Sequence, residues 1–242
     1  SEDHNLEAQV RFVRAMYRLW EAHIPVYMVQ GNHDPAESWK AQLQMPDNVH
    51  VFSSEQVQRF PLIVNNIEIG GVYGISCGHG NESENYARQY RAFERDEFSL
   101  AVMHGTVGSS AGAENHNVTG PCNLTDLAEA AMDYWALGHI HKAQRVSGRE
   151  NVRYAGSPIP MSFAERHYHH GVVMVAFDGG CAVDIRRIEC PKSIPLISVP
   201  SGEPELPEKI LEMLGELPET EGTAPYLEVK VLLEEPEPML RQ

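Results

Sequence analysis

Gly31-Asn32-His33-Asp34 closes the apolar run Ile24-Pro25-Val26-Tyr27-Met28-Val29. A short apolar run that stops at Gly, Asn and His reads as a strand ending in a tight turn. Two later stretches repeat the pattern. Ser99-Leu100-Ala101-Val102-Met103 runs into His104-Gly105, and Tyr134-Trp135-Ala136-Leu137 runs into Gly138-His139-Ile140-His141. In open α/β sheets, ligands sit beyond the carboxyl ends of the strands. One Asn and four His at three such ends predict a single site assembled from distant parts of the chain.

Upstream of this junction, Leu6, Val10, Val13, Tyr17 and Trp20 recur at helical steps and form one apolar stripe, read as core. A helix followed at once by a strand places the start of the chain inside a βαβ unit, so we expect a fragment. Downstream, a short helix is expected around 36–44, with strands at 49–52 and 57–64. Asn65-Asn66 marks a hairpin turn into Ile67-Glu68-Ile69, and 70–75 suits a buried strand. Residues 84–95 are expected to be helical through Tyr86, Tyr90 and Phe93. The small-residue stretch 105–123 is either a plain connection or a lid facing substrate. A helix follows at 124–132 and a strand at 152–154. Asp178-Gly179-Gly180 joins two strands as a hairpin. Nine of the sixteen prolines lie between 191 and 242, so the domains are placed at 1–192 and 193–242, with a helix at 207–214 and a strand at 226–233.

The net charge of -15 bounds the partners. Residues 201–242 hold eleven Glu against Lys209, Lys230 and Arg241, a solvated acidic surface. A chain this acidic is not a general nucleic-acid binder, because phosphate contacts need Lys and Arg. A polyanionic substrate has to be attracted by bound cations or by a partner. Cys77, Cys122, Cys181 and Cys190 lack C-x-x-C spacing, which points to reduced thiols in a cytoplasmic protein. No apolar run approaches the roughly 20 residues of a membrane span.

Neutral imidazole suits Zn, Mn or Fe, and an amide oxygen suits harder ions such as Mn and Mg. In an extended segment His139 and His141 point the same way, with Ile140 turned to the core. Mixed N and O donors are what a two-metal phosphoester hydrolase uses, with metals about 3.5–4 Å apart clamping the attacking and leaving oxygens. His33, beside Asn32, is placed to stabilise the phosphorane-like charge or to protonate the leaving oxygen.

In their order, Gly31-Asn32-His33-Asp34, His104-Gly105 and Gly138-His139-Ile140-His141 resemble the calcineurin-like metallophosphoesterases. Tyr154-Ala155-Gly156-Ser157-Pro158, followed by Ser162-Phe163-Ala164-Glu165, looks like the SbcD-type branch, the bacterial DNA double-strand-break repair exonucleases. The resemblance covers about residues 5–190. It implies an α/β fold, a four-layer αββα sandwich, with the start of a small α+β capping domain. It implies Asn32, His104, His139 and His141 as metal ligands, His33 as the catalytic histidine, and Asp34 as the residue that orients His33. The cofactors implied are two divalent metal ions, Mn in this branch. The partners implied are DNA, an SMC-like ATPase of the SbcC type and a second copy in a homodimer, with no membrane involved.

The sequence departs from the pattern at its start. The family's Asp-x-His and Gly-Asp strand ends belong before Gly31, and Asp3 and His4 are not in a strand-end context. Tyr154, Gly156, Ser157 and Phe163 read equally well as turn and packing residues. His167, His169 and His170 read as a solvated loop rather than a metal cluster, as do His50, His79 and His116. His-x-His also occurs in metallo-β-lactamases, but Lys142-Ala143-Gln144 lacks the Asp that follows there. A phosphoesterase acting on small phosphodiesters and a non-catalytic scaffold are the competing functions. With those motifs absent, Mn calorimetry on the 242-residue chain is expected to show at most one weak site. Two tight sites would overturn this expectation.

Overall fold

The computed structural model describes residues 5–34, 44–78, 80, 82–108, 110, 112, 117–178, 181–192, 194–218 and 222–233. Asn5 accepts from the Ala8 amide and caps α1 (Leu6–Glu21). The face that α1 buries carries Val13 and Met16. Tyr17 and Trp20, expected in the core, are 40% and 49% exposed. Met16 and Tyr17 both follow Val13 at helical spacing, and the wholly apolar Met takes the inward direction.

His23, at φ 56°, turns the chain toward β1 (Val26–Met28), which pairs in parallel with β2 (Val49–Val51). His50, expected in a loop, sits on β2 between the rings of Tyr27 and Phe60, with centroids 5.1 and 4.9 Å away. The helix expected at 36–44 falls almost entirely outside the described residues.

Six strands form a central mixed sheet. Their order is β3 (Gln58–Val64), β4 (Ile67–Ile75), β5 (Ser99–His104), β6 (Tyr134–Gly138), β8 (Val152–Tyr154) and β7 (Gln144–Arg145). Asn65 and Asn66 take φ of 51° and 64°, the left-handed pair that a two-residue hairpin requires. From β4 through β5 and β6 to β8 the strands run parallel, with β3 and β7 antiparallel at the edges. Val72, Ile75, Ala101, Met103, Trp135 and Leu137 are buried, as the central strands of a covered parallel sheet require.

Parallel direction brings the carboxyl ends of β4, β5 and β6 to one edge, where Met103 pairs with Ile75 and Leu137, and His104 with Gly138. The end of β1 is tied to the same edge. The Cys77 amide donates to the Gln30 carbonyl at 2.9 Å, and the Gln30 amide to Ser76 Oγ at 3.0 Å.

The helix expected at 84–95 is a single 3-10 turn, Tyr86–Gln89. Tertiary hydrogen bonds replace the helical ladder. Asn85 donates to Asp126 at 2.8 Å, the Tyr90 hydroxyl to the Val102 carbonyl at 2.7 Å, and the Phe93 amide to the Tyr73 hydroxyl at 2.9 Å. The expected helix at 124–132 shortens to α2 (Leu124–Glu129), closed at its start by an Asn123–Asp126 capping box. β9 (Gly171–Asp178) and β10 (Cys181–Glu189) pair as a two-stranded sheet. Phe177 packs on Phe98 and Tyr134.

The chain divides into two compact units, Ser1–Ser157 with Gly171–Ile188, and Pro158–His170 with Glu189–Gln242. Within the second, β11 (Leu196–Val199), a strand with no clear local pattern, pairs in parallel with β12 (Tyr226–Val229). Alongside, α3 (Pro207–Gly215) buries Ile210. His170, expected in a solvated loop, is buried with Nε2 at 3.1 Å from the Glu165 carbonyl. Among the described residues no helix is long and apolar enough to cross a membrane.

A buried ion pair closes the β3 edge of the sheet. Arg59 Nε and Nη2 donate to Asp96 at 3.0 and 2.5 Å, with the side chains 12% and 2% exposed. Burial opposes the Asp96 charge, but Arg59 and the Tyr73 hydroxyl outweigh it and hold the carboxyl below its ordinary range. A depressed folded pKa contributes stability above the unfolded carboxylate range and loses it as pH falls through the folded value. Arg59→Met is therefore expected to cost roughly 3 kcal/mol at neutral pH. The deficit should shrink in acid, as urea denaturation at both pH values will show.

Candidate metal centre

His104 ends β5, and the centre is built around its ring. A Cβ on Gly31 would fall 2.5 Å from His104 Cε1 and 2.8 and 2.9 Å from the two ring nitrogens. Only glycine at 31 lets the ring lie against the chain there. A Cβ on Gly138 would lie 3.3 Å from His104 Nδ1. Behind the strand end, the Cys77 thiol donates to the His104 carbonyl with the sulfur 4.0 Å away. Burial pushes this thiol up to about 11, so it stays protonated and supports the backbone rather than a metal.

His104 Nε2 faces two further lone-pair atoms, Asn32 Oδ1 at 2.8 Å and His139 Nδ1 at 3.2 Å. His139 is itself 7% exposed, and its other nitrogen, Nε2, lies 2.9 Å from the Asn117 carbonyl. A carbonyl only accepts, so Nε2 carries the proton, and in that tautomer of the neutral ring Nδ1 is bare. Asn32 Oδ1 and His139 Nδ1 both lie against His104 Nε2, and a proton placed there cannot serve both at full strength. A cation in place of that proton satisfies all three. Donors at about 2.1 Å from a metal and at right angles stand about 3.0 Å apart. The observed 2.8 and 3.2 Å bracket that spacing, so each of the two donor pairs is compatible with a shared divalent ion.

His139 has φ 98°, a costly conformation for a residue with a Cβ and one that collects at functional sites. The amide of Asp34 closes a turn onto the Gly31 carbonyl at 3.1 Å, leaving His33 exposed beside half-buried Asn32 and Asp34. His141 is half-buried, and its carbonyl accepts from the Ser157 amide at 3.0 Å. Asn32, His104 and His139 are therefore joined side chain to side chain, with His33, Asp34 and His141 in the adjoining turns. Among the described residues no three His, Cys, Asp or Glu side chains are grouped to hold a metal; the third donor here is an amide. Asp3, His4, His79 and His116 lie outside the described residues.

Asn117 contributes through its backbone carbonyl and not its side chain. Its carbonyl arrives because the chain after His104 doubles back: the Thr106 amide donates to the Thr119 carbonyl at 2.7 Å, and the Cys122 amide to the Thr106 carbonyl at 3.0 Å. A backbone carbonyl has no residue signature, and the only cue was the length of the small-residue loop.

Residues 3–143 match the model of the calcineurin-like phosphoesterase family. The chain belongs to this family. Calcineurin-like phosphoesterases are hydrolases that use divalent metals, and the three joined donors lie in the matched segment. The uncharacterized metallophosphoesterase YhaO of Bacillus subtilis (strain 168) is 36% identical over 154 residues, which cover 63% of this chain and 37% of YhaO. The SbcD subunit of the nuclease SbcCD from Rhodobacter capsulatus is 35% identical over 141 residues, covering 54% of this chain and 34% of that protein. Its counterpart in Escherichia coli K12 is 45% identical over 64 residues, 26% of this chain and 16% of the relative. The chain thus spans about a third or less of the length of these relatives.

Gly31→Ala is expected to drive the His104 ring off Asn32 and to weaken Mn binding by roughly 10- to 100-fold. Water-proton relaxation in a Mn titration reads this directly. Gly202→Ala, where an added Cβ meets nothing within 4 Å, serves as the control. Equal affinity in the two variants would show that Gly31 does not set the ring.

Proposed function

We propose that the chain belongs to a Mn-dependent DNA nuclease that acts in DNA repair with an SMC-like ATPase of the SbcC type. The observation that carries this reading is the contact set Asn32 Oδ1, His104 Nε2 and His139 Nδ1, linked at 2.8 and 3.2 Å. Relatives named as the SbcD subunit of the nuclease SbcCD support a phosphodiester as the bond attacked. The net charge of -15 supports attraction of DNA through bound cations and a partner rather than through a basic surface.

In this reading Asn32, His104, His139 and His141 are among the ligands of two divalent cations. The amide oxygen of Asn32 favours Mn over a softer ion. Such cations supply positive charge at the phosphate and make water acidic enough to react near neutral pH. The Asn117 carbonyl keeps the His139 proton on Nε2, so that Nδ1 stays directed inward. His33, exposed next to Asn32, donates a proton to the leaving oxygen, and Asp34 orients its ring. In this reading the nuclease domain spans residues 1–192 and the capping domain holds 193–242, in a cytoplasmic homodimer.

The test uses the complete gene product, with linear duplex DNA and a chromogenic phosphodiester as substrates, in Mn and in chelator. Mn-dependent cleavage of DNA is expected. His104→Ala is expected to lower kcat/KM at least 100-fold, roughly 2.7 kcal/mol of transition-state stabilisation. His33→Asn is expected to lower kcat while Mn affinity is kept. Hydrolysis of the chromogenic ester alone decides for a small-phosphodiester enzyme. Hydrolysis of neither overturns the enzyme in favour of a scaffold.

A further inference from the structure

We infer that Tyr154-Ala155-Gly156-Ser157 is a brace that fixes His104 and His141 from one side, with Tyr154 as a positioning residue of the centre. The purpose of the brace rests on the metal-centre reading above; its geometry does not.

Tyr154 ends β8, paired with Leu137 one residue before Gly138, and is 1% exposed. Its hydroxyl donates to the Gly105 carbonyl at 2.8 Å and accepts from the Val107 amide at 2.9 Å. Burial pushes the phenol up to about 12, with the Val107 hydrogen bond pulling the other way. It is therefore a fixed donor throughout the neutral range. Gly105 follows His104 directly. Gly105 and Val107 flank Thr106, the residue that holds the returning stretch 119–122 and, through it, the approach of the Asn117 carbonyl to His139. One phenol thus orders the chain leaving one donor and the loop segment whose carbonyl meets another.

Two residues on, Gly156 has φ 79°, and a Cβ there would fall 2.7 Å from the His141 carbonyl oxygen and 2.8 Å from the Ala143 amide. The backbone lies flush on the segment that carries His141, and the Ser157 amide donates to the His141 carbonyl at 3.0 Å. The motif works through a side chain at Tyr154, a missing side chain at Gly156 and a backbone donor at Ser157. An ordinary core tyrosine offers the contrast. Tyr90 is also fully buried, and its hydroxyl donates to the Val102 carbonyl on the same β5 strand at 2.7 Å. Its contact lies inside the ladder, before the strand end.

The experiment compares Tyr154→Phe with Tyr90→Phe in the 242-residue chain, by imidazole-resolved NMR without metal and then by Mn titration. Tyr154→Phe is expected to shift or split the His104 ring signals and to weaken Mn binding roughly 10- to 100-fold. Tyr90→Phe is expected to lower the Tm and leave those signals in place. Unchanged His104 signals in folded Tyr154→Phe, or equal displacement in both variants, overturn the brace. If Tyr154→Phe does not fold, Gly156→Ala tests the other grip. His141 signals are then expected to move, and unmoved signals overturn the inference. The ring signals need no metal, so failure of the unmutated chain to bind Mn counts against the metal centre and leaves the brace to be judged on the spectra.

Discussion

The centre depends on a side chain that is not there. With hydrogen alone at Gly31, the His104 ring lies in the notch beside the β1 turn, where a Cβ would come within 2.5 Å of it. That placement turns Nε2 toward Asn32 and His139 at once. Movement of the ring would lengthen both contacts together, since one nitrogen makes both. Close packing on a missing atom is more exacting than a polar contact, because repulsion rises steeply where attraction falls slowly.

Holding the notch in place is a matter of topology. The parallel run from β4 to β8 sends the ends of β4, β5 and β6 to one edge. The β1 turn belongs to a separate parallel pair and reaches that edge through the Gln30 links to Ser76 and Cys77. The left-handed φ of His139 is maintained against its own preference by neighbours on both sides: the strand before it, and the His141 segment gripped by Gly156 and Ser157. Strain of this kind persists only where surrounding contacts over-determine it.

The same economy appears in the chemistry. Asn32 Oδ1 and His139 Nδ1 both converge on His104 Nε2, an arrangement of modest value as a hydrogen-bond network and of high value for a cation. The family's use of divalent metals agrees with a centre drawn this way. Cations held by neutral donors such as Asn and His keep their full charge.

The strand ends bearing Asn32, His104 and His139 were legible because an apolar run bounded by Gly and a polar residue is a local pattern. The Asn65-Asn66 hairpin and the span of α1 were legible for the same reason. Residues 84–95 misled because Tyr86, Tyr90 and Phe93 keep a helical rhythm while the hydrogen bonds of this stretch go to Asp126, Val102 and Tyr73, partners that no local window contains. Trp20 misled because periodicity gives a direction but not what lies along it. The sequence by itself determined which residue types stand at which strand ends, and so the family and the candidate donors. The tertiary structure alone decided that Asn117 sets the His139 tautomer and that Tyr154 holds the chain beyond His104. Those bonds run to backbone atoms, which every residue carries alike, so only the folded path can single them out.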